Sequence, residues 1–312
     1  MRVEHELFVR SFFPVPPPTR VVSQMAARMR DHTFRAGAVL YARDEPSHTV
    51  YFIADGQVAL EAPNLEPWLF DRGALIGISD ATLSRRRART ARAKTEVHAV
   101  SIEFEDYVDI LEDNFEFGRT SLVNAMAGIH ELSRQLAPDN VFAASDLKGR
   151  APLPTTVGQQ LTEIECLLAL RDVQALAQAP VQALVTLSRA VDLQHWAEGD
   201  EIFTAGGAAP DIHILVSGRV RVVEPQIPYE SEFGAGSILG AHAAIAFEHH
   251  PHHAIALQPS TTMRLAKEDI YDVTEDHFGL ARRFFAWIAG ENERARENLA
   301  TSDIQRLSHD AA

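Results

Sequence analysis

The segment Gly77-Ile-Ser-Asp-Ala-Thr-Leu-Ser-Arg-Arg-Arg-Ala-Arg-Thr-Ala-Arg-Ala93 opens on a glycine turn and closes in an alternating run. Six basic side chains fall within Arg85–Lys94, and no acid lies between Asp80 and Glu96. In a chain of formal net charge −14, such a cluster marks a local place for an anion. A fainter version begins at Gly240-Ala-His-Ala-Ala and ends in His249-His-Pro-His-His253, with histidines where the first carries arginines. The chain is therefore a tandem repeat, and the difference between its copies is the functional question.

Outward from that segment, Phe34, Val39, Tyr41, Val50, Phe52, Val58 and Leu60 alternate in short runs broken by Gly37, Pro46 and Gly56. This density of short strands predicts an all-β sandwich or barrel. Between Phe34–Leu60 and Trp196–Val222 the halves align without a gap at an offset of 162. Gly37 meets Gly199, Gly56 meets Gly218, Tyr41 meets Phe203, and Phe52-Ile53 meets Ile214-Leu215. After one inserted residue, Gly73 meets Gly236 and Gly77 meets Gly240. Glycines and apolar positions are what backbone geometry constrains, so their register carries weight even at low identity.

Helical spacing flanks both β segments. It predicts helices over residues 4–12, Arg20–Arg30, Phe104–Leu136, Leu161–Leu170, Val181–Val191 and Leu280–Leu299. Residues 138–160 hold Pro152, Pro154, Gly149 and Gly158 with little apolar period and read as a linker. The expected domains are 1–137 and 161–300, with a tail at 301–312. The last helix carries Phe284, Phe285, Trp287 and Ile288, which either pack on their own β domain or form a homodimer contact.

The totals narrow the function. The 46% apolar and 23% charged fractions are those of a soluble globular protein, and 312 residues suffice for two cores. The net negative charge repels nucleic acid and anionic membranes, and no apolar run spans a bilayer. The N-terminus lacks a signal-peptide pattern, so a cytoplasmic location is expected. Cys166 is the single cysteine, set in an apolar helical pattern; it excludes disulfide frameworks and reads as a buried small hydrophobe. Phosphate-binding Gly-rich loops, dinucleotide fingerprints and nucleophile elbows are missing. The acids Glu103, Glu105, Asp106, Glu268 and Asp269 sit at strand–helix junctions and read as helix N-terminal charges.

Each half resembles the cyclic-nucleotide-binding domain, as in the catabolite activator and the regulatory subunit of cyclic-AMP-dependent protein kinase. The resemblance rests on Glu165-Cys-Leu-Leu-Ala-Leu-Arg171, Trp196-x-x-Gly199-x-x-Ile202-Phe203 and Ile214-Leu-Val-Ser-Gly-Arg-Val220 in the second half. In the first it rests on Phe34-x-x-Gly37-x-x-Leu40-Tyr41, Tyr51-Phe-Ile-Ala-Asp-Gly-Gln-Val58 and Ala91-Arg-Ala-Lys-Thr-Glu96. It implies a mainly β protein with flanking helices: two tandem eight-stranded jelly rolls, or double-stranded β-helices.

The family holds a cyclic phosphate in a cassette of pattern Gly-Glu-x-Ala-Leu, with an arginine about ten residues after the glycine. Amides and a guanidinium fork meet the phosphate while the glutamate accepts from the ribose hydroxyl. By position, Gly77, Ile78 and Ser79 open the first cassette, Arg87 is its arginine, Thr90 its hydroxyl, and Arg89 shares a strand face with Arg87. Ile78 replaces the glutamate, which costs about 1.5–3 kcal/mol or roughly ten- to a hundredfold in affinity. The cluster has three readings: a basic surface paired with acids, a site for a cyclic nucleotide or related phosphate ligand, or a contact for a macromolecule.

In the second cassette Gly240 and Ala241 are followed by His250 at the arginine position and His252 opposite Arg89. Three readings stand here too: a relic pocket, a pH-responsive site, or a metal site using His250, His252 and His253. A metal triad lacks its carboxylate, since Ala254–Pro259 offers none, and Pro251 suggests a loop. About a dozen residues follow the last helix, too few for the family's DNA-binding module. The expectation is a non-enzymatic regulatory or scaffold protein that acts through a protein partner, with both cassettes degenerate.

Overall fold

The computed structural model describes residues 2–135, 160–173, 175–225 and 229–309. The expected linker at 138–160 lies outside them except for its last residue, as do residues 310–312 of the tail. The chain divides into two compact units, Met1–Ser121 and Leu122–Ala312.

In the first unit, α1 (Arg2–Phe12) and α2 (Thr19–Arg28) precede β1 (Arg30–Phe34), β2 (Val39–Tyr41), β3 (Thr49–Asp55) and β4 (Val58–Ala62). There follow β5 (Leu65–Phe70), β6 (Leu75–Ile76), α3 (Ile78–Thr82), β7 (Thr90–Ala93), β8 (Val97–Glu103) and α4 (Phe104–Asp113). Helix α5 (Phe115–Gln135) begins in this unit and ends in the next. The strands form two antiparallel sheets, ordered β1-β8-β3-β6 and β2-β7-β4-β5, which is the eight-stranded roll expected. Ile53, Val58, Ile76, Ala91, Ala93 and Val97 fill its interior, each almost wholly buried. Phe12 of α1 meets Phe52 of β3 edge-on at 4.9 Å, and Val21, Val22, Met25 and Ala26 form the buried stripe of α2.

The second unit repeats the plan with α6 (Glu163–Asp172), α7 (Val181–Ala190), β9 (Asp192–Trp196), β10 (Glu201–Phe203), β11 (Asp211–Ser217) and β12 (Arg219–Glu224). It continues with β13 (Tyr229–Gly234), β14 (Ile238–Leu239), α8 (Ala241–Ala246), β15 (His253–Ala256), β16 (Ser260–Ala266), α9 (Lys267–Asp276) and α10 (Phe278–His309). Its sheets run β9-β16-β11-β14 and β10-β15-β12-β13. Thr162 and Glu165 close a capping box that starts α6. Leu170, Leu184, Met263 and Leu280 share one apolar cluster, and Phe284, Phe285 and Trp287 of α10 pack against it. The aromatic half of the last helix thus packs, part-buried, on its own unit. The helix also runs to His309, beyond the Leu299 end that apolar spacing suggests.

The aligned glycines are a backbone fact. Gly37 and Gly199, Gly56 and Gly218, Gly73 and Gly236, and Gly77 and Gly240 all have positive φ, between 78° and 97°. Each pair makes the same turn in its own roll, which glycine alone adopts without strain. Hydrogen bonds repeat as well: Gly37 N donates to Ala93 O and Gly199 N to Ala256 O, both at 2.8 Å.

One repeat escapes a search for apolar period. Glu105, Asp106, Asp109, Glu112 and Asp113 of α4 recur at a spacing of 163 as Glu268, Asp269, Asp272, Glu275 and Asp276 of α9. The first two of each set stand in the first helical turn, where the helix dipole favours acids.

Candidate functional site

The cassette of the first unit is built on Gly77, which caps α3 at φ 80°. A Cβ here would lie 2.6 Å from Nη1 of Arg87. The guanidinium needs that space because it folds inward: Arg87 is 2% exposed. Its Nη1 donates to the Gly77 carbonyl at 2.7 Å, and its Nη2 donates to the Thr49 carbonyl. Its Cζ sits 4.2 Å from the Tyr41 ring centroid, a cation–π stack. Nε, also buried, has no hydrogen-bond partner among the described residues. The backbone of Arg87 is clasped too, exchanging bonds with Asp44 N and Glu45 O at 2.9 Å.

Burial raises the Tyr41 hydroxyl well above the usual phenol range and raises that of Tyr51 as well, although the Arg87 charge pulls the other way. Both therefore stay neutral donors beside the guanidinium. Asp80, on α3, is 8% exposed and accepts from Arg85 Nε at 2.9 Å. A buried carboxylate in the cassette helix repels a phosphate, and sequence reading passed over it. Its signal was there: Asp80 stands where the family pattern has alanine.

The remaining site candidates disperse. Arg87 and Arg89 precede β7 rather than lying within it, and their head groups go to different partners. Arg89 is 5% exposed, donates to the carbonyls of Leu60 (3.3 Å) and Glu66 (2.9 Å), and lies 3.8 Å over the Trp68 ring. Thr90 Oγ1 accepts from Arg43 N at 3.0 Å, while Ile78 and Ser79 are half-buried in the first turn of α3. Of the other basic residues, Arg85 pairs with Asp80 at 2.9 Å and Arg92 with Glu61 at 3.0 Å; Arg86 donates to the Asp44 carbonyl at 2.6 Å. The cluster is thus largely consumed inside its own unit.

The second cassette keeps the frame and exchanges the chemistry. Gly240 caps α8 at φ 78°, and a Cβ on it would lie 3.0 Å from Cε1 of His250. His250, 5% exposed, takes the place of Arg87, and Phe203 takes that of Tyr41; their rings stack at 3.9 Å. The clasp is preserved: Gly206 N donates to His250 O at 2.8 Å, and His250 N to Gly207 O at 2.9 Å. His213 of β11, opposite Tyr51 in the repeat, completes the group at 7% exposure, with Nδ1 3.2 Å from Thr262 Oγ1. Burial lowers both imidazoles, His213 to about 4, so neither is a cation near neutrality. Ala241 sits in the apolar cluster instead of offering a carboxylate.

The three metal candidates part company. His250 lies on Phe203, His252 Nε2 is 3.3 Å from Glu224, and His253 Nδ1 is 3.2 Å from Glu201. Among the described residues no group of three or more metal-ligating side chains is assembled. Pro251 stands in a loop before β15, as its ring requires. Cys166 is buried at 4% exposure, and burial raises its thiol. Among the described residues no helix is long and apolar enough to cross a membrane.

The family described as "Cyclic nucleotide-binding domain" matches residues 31–114 and 193–277, more than half of the chain. The chain belongs to that family and carries two tandem copies of its domain. No curated protein matches the chain. Among solved structures, the regulatory domain of Toxoplasma gondii PKA with cAMP is 13% identical, covering 90% of this chain and 93% of that one at TM-score 0.33. A mutant regulatory subunit of a cAMP-independent protein kinase A from Trypanosoma brucei, bound to cAMP in the A site, is 16% identical; it covers 98% and 90% at TM-score 0.34. The corresponding Trypanosoma cruzi subunit, bound to guanosine, is 14% identical and covers 88% and 84% at TM-score 0.33.

Proposed function

We propose that this chain is a non-enzymatic regulatory or scaffold protein that acts through a protein partner, its two cassettes no longer serving a cyclic nucleotide. The observation that carries this reading is the state of Arg87. Its guanidinium is buried, bonded to two carbonyls and stacked on Tyr41, with the Asp80 carboxylate in the adjoining helix. A phosphate would have to break those bonds, face that carboxylate and do without a glutamate at Ile78. The second cassette sets an imidazole, His250, where the first has its guanidinium. Calorimetric titration with cyclic AMP, cyclic GMP and a cyclic dinucleotide tests the reading, and no heat is expected. Micromolar binding that disappears with Arg87→Ala would overturn it.

That outcome would instead establish the second reading, a sensor of a phosphorylated small ligand in the first domain. The unbonded, buried Nε of Arg87 is the observation in its favour. Partner capture is not expected to run through the aromatic half of α10, which is packed on its own unit. Sedimentation of the purified protein checks the homodimer: a dimer that dissociates on Trp287→Ala, with the fold intact, would assign the contact to that helix.

A further inference from the structure

The second unit buries two imidazoles, His213 and His250, both beside Phe203. His250 stacks on Phe203 with planes 8° apart, and its buried Nδ1 has no hydrogen-bond partner among the described residues. Phe203 in turn lies 6.3 Å from the His213 ring, and Trp196 lies 6.1 Å from it. Trp196 Nε1 donates to Thr262 Oγ1 at 3.0 Å, the same hydroxyl that His213 Nδ1 approaches. The charged groups facing the pair are few. Asp211 at the start of β11 is already held by Arg264 of β16 at 3.1 Å, while Glu248 and His249, on the loop of His250, are exposed.

A proton on either ring therefore creates a buried cation whose nearby carboxylate among the described residues, Asp211, is itself engaged. A proton on both creates two buried like charges. We propose that His213 and His250 form a proton-operated latch: neutral, they hold the second cassette closed on Phe203, and protonated, they release it. Release has a route through the fold. His250 abuts Gly240, the N-cap of α8, and on that helix His242 lies 6.4 Å from the Trp287 ring of α10.

The sign follows from burial. The closed state depresses both imidazoles, so it binds fewer protons than the released state, where they return to the ordinary range near 6.5. Its advantage is complete above that range and falls by about tenfold per histidine for each pH unit below it, until the depressed values are reached. The first unit lacks the device, because Arg87 and Tyr51 stand where the second has its two imidazoles.

The indole N–H resonances of the full chain test the latch between pH 7.5 and 5. Trp196 and Trp287 are expected to shift together as the pH drops below 6.5, while Trp68 of the first unit stays put. In the double variant His213→Tyr, His250→Phe the shift should vanish; tyrosine copies Tyr51, and phenylalanine keeps the stack without a titrating atom. Should that variant fail to fold, His250→Phe alone must reduce the proton uptake accompanying the shift. Indole resonances that do not move by pH 5 in the folded wild type, or that move alike in the variants, would overturn the proposal.

Discussion

His250 stacks on Phe203 with ring centroids 3.9 Å apart, in the place where the first unit sets Arg87 over Tyr41. Both stacks lean on a glycine of positive φ, Gly240 and Gly77. The duplicated roll has thus kept a flat cation-or-imidazole against an aromatic face while changing its charge. The slot is a structural fixture of each unit, and its removal has consequences for stability.

Arg87→Ala leaves the Gly77 and Thr49 carbonyls without their donor and opens a void beside Tyr41. The expected loss is about 3 kcal/mol from the unfolding transition of the first unit. Urea denaturation reads it directly. A loss below about 1 kcal/mol would mean that water or another side chain replaces the guanidinium.

Glycine replacements should rank by what stands in front of them. Gly73→Ala meets nothing within 4 Å and bears only its positive φ, at about 1 kcal/mol. Gly77→Ala adds a clash with Arg87 and is expected to cost more than Gly73→Ala. Gly56→Ala is expected to be worst, because its Cβ would run into the backbone at Glu96 and Val97, which cannot swing aside. Thermal midpoints of the three variants in any other order would contradict this geometry.

The stability of the second unit should fall in mild acid. His213, pushed down to about 4 by burial, is neutral in the fold and titrates near 6.5 once unfolded. The unfolded chain then binds the extra proton, so stability is full above pH 6.5 and declines below it. At pH 5 this one residue accounts for at most about 2 kcal/mol, the full amount applying where the latch stays closed. Urea midpoints followed through Trp196 should move accordingly, and His213→Tyr should flatten their pH dependence.

Thr162→Ala removes the side-chain acceptor of the capping box at α6 and should lower stability by about 1 kcal/mol. Because Glu165 also reaches back to Thr162 N at 2.7 Å, Thr162→Ser should be nearly neutral. Circular dichroism with urea separates the two variants.

Much of this protein was legible in its residue order. The roll follows from turn glycines and alternating apolar residues, because φ above zero and a two-sided strand each demand particular residue types at particular spacings. Gly37, Gly56, Gly73 and Gly77 therefore announced their partners 162 or 163 residues later. The positions of Arg87 and His250 in the cassettes came from the same register. What residue order left open was where the side chains point. Arg87 and Arg89, two residues apart, bury their charges on Tyr41 and Trp68. His250 and His252 likewise separate, one to Phe203 and one to Glu224. A charge run in sequence is silent on which carbonyls, rings and acids the fold brings within 3–4 Å. Those neighbours come from distant strands, and they alone decide whether an arginine waits for an anion or is already satisfied.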